Sequence, residues 1–179
     1  MRYAALLRGI NLGNRRMVMA DLRRVLETEG ADDVATHLQS GNAVFTIGES
    51  DPDVVRGRLE AAIGAEFGFD VPLVLVTAEE LAAVIAACPY RVQADADPTK
   101  VHVTFFDPMP SDDAWSGFDL AALAPEGMAT GPGVLFMHLP NGMGRAVLPG
   151  LLAKATSKVT ATTRNWRTVI KLAGMLEVG

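Results

Sequence analysis

Between residues 3 and 76, short apolar runs of strand period alternate with longer segments of helical period, and that order constrains the fold more than any other feature. Tyr3-Ala4-Ala5-Leu6-Leu7, bounded by Gly9, reads as a strand. Leu22, Val25 and Leu26 stand at helical spacing within residues 19–29, and Gly30 stops that helix. Residues 34–38 form a short strand and residues 43–47 return antiparallel to it. Gln39-Ser40-Gly41-Asn42 makes the turn between them, since Gly and Asn tolerate positive φ. Asp51 offers a cap and Pro52 suits the first helical position for a second helix burying Val55, Leu59, Ile63 and Phe67. Residues 71–76 are a nearly continuous apolar strand. The order is βαββαβ, the ferredoxin-like split in which two helices cover one face of an antiparallel sheet.

The pattern partly repeats from Ala78. Residues 78–87 read as a helix carrying Leu81, Val84 and Ile85, followed by Cys88-Pro89 and an acidic, proline-bearing stretch at 93–98 that looks like a boundary. Residues 100–106 form a strand, 112–123 contain a helical segment, and 127–139 give two strands joined around Gly131-Pro132-Gly133. Helices follow at 148–155 and 164–176. The expectation is an α+β protein of two subdomains, 1–77 and 78–179. The first is ferredoxin-like, and the second is a similar βαββα half with an added C-terminal helix.

Composition excludes several classes. Of 179 residues, 49% are hydrophobic and 21% charged, so the chain is neither disordered nor fibrous and can bury a core. No apolar run reaches the roughly 18 residues a membrane helix needs. The opening residues, soon charged at Arg8, do not suit a secretory segment, so a cytoplasmic protein without membrane partners is expected. The lone Cys88 reads as a buried structural thiol. Charge is uneven: residues 1–26 carry six Arg against Asp21, and residues 127–179 carry six Lys or Arg against Glu177, within a net charge of −5. Clustered charge concentrates ligands of opposite sign.

Three segments carry the candidate chemistry. In Arg8-Gly9-Ile10-Asn11-Leu12-Gly13-Asn14-Arg15-Arg16, glycines and asparagines let the backbone turn its amides inward, and Arg8, Arg15 and Arg16 add positive charge suited to phosphate or carboxylate. The spacing is neither G-x-G-x-x-G nor a P-loop, and a plain strand-to-helix turn accounts for it equally. Near the other end, Thr162 or Thr163 would cap the last helix and put Arg164 and Asn165 in its first turn, where anions bind; Arg164, Arg167 and Lys171 would share a face. Trp166, Val169, Ile170 and Ala173 would form the apolar face, with Trp166 as core anchor. In the hairpin turn, Gln39, Ser40 and Asn42 suit a ligand, although each also suits the turn itself.

His37, His102 and His138 lack metal-ligand spacing, the acidic pairs fall at helix starts or loops, and Ser40 and Ser157 lack a nucleophile elbow, so no cofactor, metal or catalytic residue is assigned. The runs 3–13, 38–45 and 163–172 resemble the bacterial domain of unknown function 1697 family over nearly the whole chain, with Arg167 where Asn is expected and Ala43 where a larger aliphatic is expected. That resemblance implies a ferredoxin-like α+β fold and no established activity.

Three functional readings follow. The first is a non-catalytic module holding an anionic small molecule or nucleic acid through Arg8, Asn11, Arg15, Arg16, Arg164, Asn165 and Lys171. The second is an enzyme in which Arg8 and Arg164 clamp a small polar substrate that Gln39, Ser40 and Asn42 position. In the third the motifs are purely structural.

Overall fold

The structure, a computed structural model, describes residues 1–177. The chain divides into two compact units, one formed by Met1–Glu79 with Leu172–Gly179, the other by Glu80–Lys171. In the first unit the elements are β1 (Arg2–Leu7), α1 (Met19–Thr28), β2 (Ala31–His37), β3 (Asn42–Ile47), α2 (Pro52–Phe67) and β4 (Leu73–Thr77). They form one antiparallel sheet of order β2-β3-β1-β4. β1 lies between two neighbours, and a central strand buried on both faces reads as a continuous apolar run, which is what Tyr3–Leu7 shows. Its Tyr3, Ala5 and Leu7 share a core with Leu22 and Leu26 of α1 and Leu59 and Ile63 of α2.

The local signals act as their chemistry requires. Asp51 accepts from the amides of Asp53 (2.9 Å) and Val54 (3.4 Å), Pro52 opens α2, and Gly68 closes it at φ 76°. β2 begins earlier than the sequence predicts, because a bulge between Asp32 and Ala35, with Asp33 at φ 53°, lets its first residues rejoin the ladder.

The second unit holds most of α3 (Ala78–Ala87), then α4 (Arg91–Ala96), β5 (Val101–Asp107), β6 (Gly127–Gly131), β7 (Val134–His138), α5 (Leu148–Ala155), β8 (Thr160–Asn165) and the start of α6 (Trp166–Glu177). Its sheet has the order β6-β7-β5-β8, the same arrangement as the first. Phe106, Leu135, Met137 and Leu139 pack with Trp115, Leu148 and Leu152 in its core. The helical segment expected over 112–123 contracts to a 3-10 turn at Asp112–Trp115, and the stretch read as a boundary contains α4.

The largest departure from the sequence reading is β8. Thr160–Asn165 is a strand paired along β5, with Val103 opposite Arg164 and Thr104 opposite Thr163, whose hydroxyls lie 2.8 Å apart. The second half is therefore a full βαββαβ order with a 3-10 turn in place of its first helix. The last helix starts at Trp166, after Arg164 and Asn165 instead of around them. On α6, Trp166, Val169, Leu172 and Leu176 are buried, while Ile170, expected on that face, is 44% exposed.

Candidate functional site

In the first unit, the segment from Arg8 to Val18 folds back on itself before α1. The Asn11 amide donates to the Arg15 carbonyl at 2.7 Å, the Arg15 amide donates to the Leu12 carbonyl at 3.1 Å, and Leu12 and Arg15 form a one-pair β-bridge. Gly9, Asn11 and Gly13 take φ of 68°, 54° and 59°. Only residues comfortable in the left-handed region permit so tight a turn.

The side chains of this segment divide into two groups. Asn11 Oδ1 accepts from the Met17 amide (2.9 Å), and its Nδ2 donates to the carbonyls of Met17 (3.1 Å) and Gln39 (2.6 Å), so the amide clamps the loop to the hairpin turn. Arg15 donates to the Asp70 carbonyl and lies over the Phe69 ring, 4.8 Å from its centroid. The side chains of Arg8 and Arg16, by contrast, are exposed and have no hydrogen-bond or ion-pair partner among the described residues.

The hairpin turn is built from its own chemistry. Buried Asn42 donates through Nδ2 to the His37 carbonyl (2.9 Å) and to Ser40 Oγ (3.0 Å). Gly41 sits at φ 78°, and a Cβ there would fall 2.8 Å from Leu7 Cβ and 2.7 Å from Ile10 Cδ1. Leu38 holds φ 60° with 57% of its surface exposed. A left-handed non-glycine residue costs about 1–2 kcal/mol, so the turn is over-determined by its surroundings. Gln39, at the tip, presents a side-chain amide without a partner among the described residues.

Loop and turn together enclose an open cleft of about 440 Å³ lined by Asn11, Gly13, Arg16, Met17, Val18 and Gln39. The cleft opens at the start of α1, where Val18 provides no side-chain cap and the first intrahelical bond is Leu22 N to Val18 O. The first amides of a helix carry partial positive charge, which adds to that of Arg16. A second depression of about 320 Å³ in this unit is lined by Glu60 and Asp70 among others and has the opposite character. Of the residues named from sequence, Asn11, Arg16 and Gln39 thus line one cleft; Arg15, Ser40 and Asn42 serve the framework, and Arg8 is exposed beyond the end of β1. Gly13, Met17 and Val18 were not read from sequence as lining residues. The signal for Val18 was an aliphatic residue where a polar cap is usual.

In the second unit, Arg164 is a strand residue with 8% of its surface exposed, not a first-turn helix residue. Its Nη1 donates to Thr162 Oγ1 (2.6 Å) and to the Thr163 carbonyl (3.0 Å), and burial pushes the guanidinium down to about 10. Asn165 is the helix cap, its Oδ1 accepting from the amide (3.0 Å) and hydroxyl (3.0 Å) of Thr168. Lys171 is exposed on α6. Trp166 is buried, with the Arg91 guanidinium 5.6 Å from its ring centroid. Cys88 is buried, and desolvation raises its thiol, which keeps it protonated and unreactive. Among the described residues no group of three or more His, Cys, Asp or Glu could hold a metal ion, and no helix is long and apolar enough to cross a membrane.

Two α+β units of one strand order, the first carrying a cleft formed by a glycine-rich loop and a hairpin turn, define the class of protein. The chain belongs to the family described as Protein of unknown function (DUF1697), whose model matches residues 1–136 and so includes the whole of the cleft. It is similar to the conserved bacterial protein SP0830 from Streptococcus pneumoniae, at 25% identity and a TM-score of 0.73 over 98% of each chain. No curated protein matches it.

Proposed function

We propose that the first unit is a non-catalytic binding module for a small anionic ligand, held in the cleft between the glycine-rich loop and the hairpin turn. The observation that carries this reading is the division of labour between neighbouring arginines. Arg15 is engaged with Asp70 and Phe69, whereas Arg16 lines the cleft with its guanidinium unpartnered among the described residues. A guanidinium offers several donors in a planar fork suited to carboxylate or phosphate. Gln39 adds an amide across the cleft, and the start of α1 adds a favourable field. The side chains lining the cleft are the Arg16 guanidinium, the Gln39 amide, the loop-clamping Asn11 amide and the apolar Met17 and Val18, none of which shuttles protons at neutral pH. A volume of about 440 Å³ fits a metabolite, and the net charge of −5 favours a small anion over a nucleic-acid duplex.

The test is an NMR titration of the full chain with inorganic phosphate and pyrophosphate. Saturable shifts at the amides of residues 11–18 and at Gln39, weakened by salt and lost in Arg16→Gln, support the reading. Shifts that are unaffected by Arg16→Gln, or that fall elsewhere, overturn it, and salt-sensitive binding of oligonucleotides alone would replace it with a nucleic-acid role.

A further inference from the structure

Building on that anion-binding reading, we infer that the ligand is an amphipathic anion, a carboxylate, sulfonate or phosphate carried on an aromatic or aliphatic body. A cleft of about 440 Å³ is much larger than a bare oxyanion needs, since a water molecule takes about 30 Å³. Its walls differ in character: Arg16 and Gln39 supply polar groups, and Val18 supplies apolar surface, with buried Met17 beneath. Of the lining residues Val18 is 59% exposed, and of the residues adjoining the lining in sequence Leu12 is 67% and Leu38 57% exposed. Leu12 lies between the lining residues Asn11 and Gly13, and Leu38 precedes the lining residue Gln39. Single exposed aliphatics are ordinary on a protein surface, but Val18 in the lining, next to a guanidinium unpartnered among the described residues and with exposed Leu12 and Leu38 adjoining other lining residues in the chain, gives the mixed surroundings that orient a ligand with one charged end.

The Leu38 geometry points the same way. Its position at φ 60° is one that turn chemistry gives to Gly or Asn, yet this chain keeps a large aliphatic side chain there and exposes it. Leu12 is likewise held outward within the closed turn between Asn11 and Arg15. Both side chains are carried on backbone fixed by hydrogen bonds of the loop and hairpin, so their positions are preorganised.

Three probes separate the contributions: 8-anilino-1-naphthalenesulfonate, which has charge and an apolar body, inorganic phosphate, which has only charge, and N-phenyl-1-naphthylamine, which has only the apolar body. Each is titrated into the full-length protein and followed by NMR shifts at residues 11–18 and 38–40. The sulfonate should bind at least about tenfold tighter than either single-character probe. Leu38→Asn, which suits the left-handed position, should weaken the sulfonate about tenfold and leave phosphate unchanged, whereas Arg16→Gln should weaken both. If phosphate binds as tightly as the sulfonate and Leu38→Asn changes nothing, the amphipathic ligand is overturned while the anion site stands. If the neutral amine matches the sulfonate and Arg16→Gln has no effect, or if no probe shifts these amides, both the inference and the anion site fail.

Discussion

Asn11 grips Met17 by both ends of its peptide units: Oδ1 accepts from the Met17 amide at 2.9 Å while Nδ2 donates to the Met17 carbonyl at 3.1 Å. One side-chain amide thereby imitates a strand neighbour, and its remaining donor reaches the Gln39 carbonyl at 2.6 Å. The loop that shapes the cleft is fixed by this residue, which the φ of 54° also suits.

Replacing Asn11 by Asp should therefore disrupt the loop. At neutral pH the new carboxylate would face two carbonyls that have lost their donor, a change of about 2–3 kcal/mol. Urea unfolding should show this loss at pH 7. The loss should shrink as pH falls towards about 4 and level off below it, because the facing oxygens raise the variant's folded-state pKa above the unfolded value of about 3.9 and the protonated carboxyl can again donate.

The neighbouring arginines should separate stability from binding. Arg15→Ala removes the bond to Asp70 and the stacking on Phe69, and should lower stability by about 1 kcal/mol. Arg16→Ala should leave thermal unfolding within about 0.5 kcal/mol of wild type yet abolish the phosphate-induced shifts in the cleft. A large stability loss in the Arg16 variant would show that it belongs to the framework.

Two glycines of similar φ should respond differently to alanine. At Gly41 the added methyl meets Leu7 Cβ at 2.8 Å and Ile10 Cδ1 at 2.7 Å. Gly41→Ala should thus combine backbone strain with overpacking and lose about 3 kcal/mol or more. At Gly13, φ 59°, nothing lies within 4 Å, and Gly13→Ala should lose only the strain, about 1 kcal/mol. Equal midpoints in urea would contradict the difference.

The pH dependence of the fold should report on His102. It is 6% exposed on β5, and burial lowers its pKa; the charge of Lys100 acts in the same direction, against the opposing pull of the Lys100 backbone carbonyl as acceptor. A base whose folded pKa lies below its unfolded value of about 6.5 leaves stability unaffected above that pH. As pH falls below it the unfolded state takes up the proton first, so stability drops. His102→Gln should flatten stability between about pH 7 and pH 5 in chemical unfolding, and an unchanged slope would exclude this histidine as its source.

The first unit was legible in sequence because its signals are local. The apolar run of β1, the Asp51-Pro52 cap and the Gly41-Asn42 turn each specify their own backbone, and the observed elements follow them closely. β8 was not legible. Thr160–Asn165 alternates weakly, and threonine before a helix reads as a cap, whereas the strand is decided by β5, whose Thr104 and Val103 lie about 60 positions earlier in the chain. Pairing with β5 also hid the role of Arg164, and partners far along the chain hid those of Arg15 and Asn11. Two adjacent arginines look alike in sequence, and only the approach of Asp70, 55 residues away, decides which is engaged. Gln39, 28 residues from Asn11, does the same for the amide.

The segment beginning at Leu172 groups with the first unit, and Arg2 Nη2 donates to the Met175 carbonyl at 3.1 Å across almost the entire sequence. A ribosome delivers Met175 173 residues after Arg2, so the first unit waits for this piece until the other unit has been made. Nascent chains stalled before Leu172 should hold the cleft on an unfinished body.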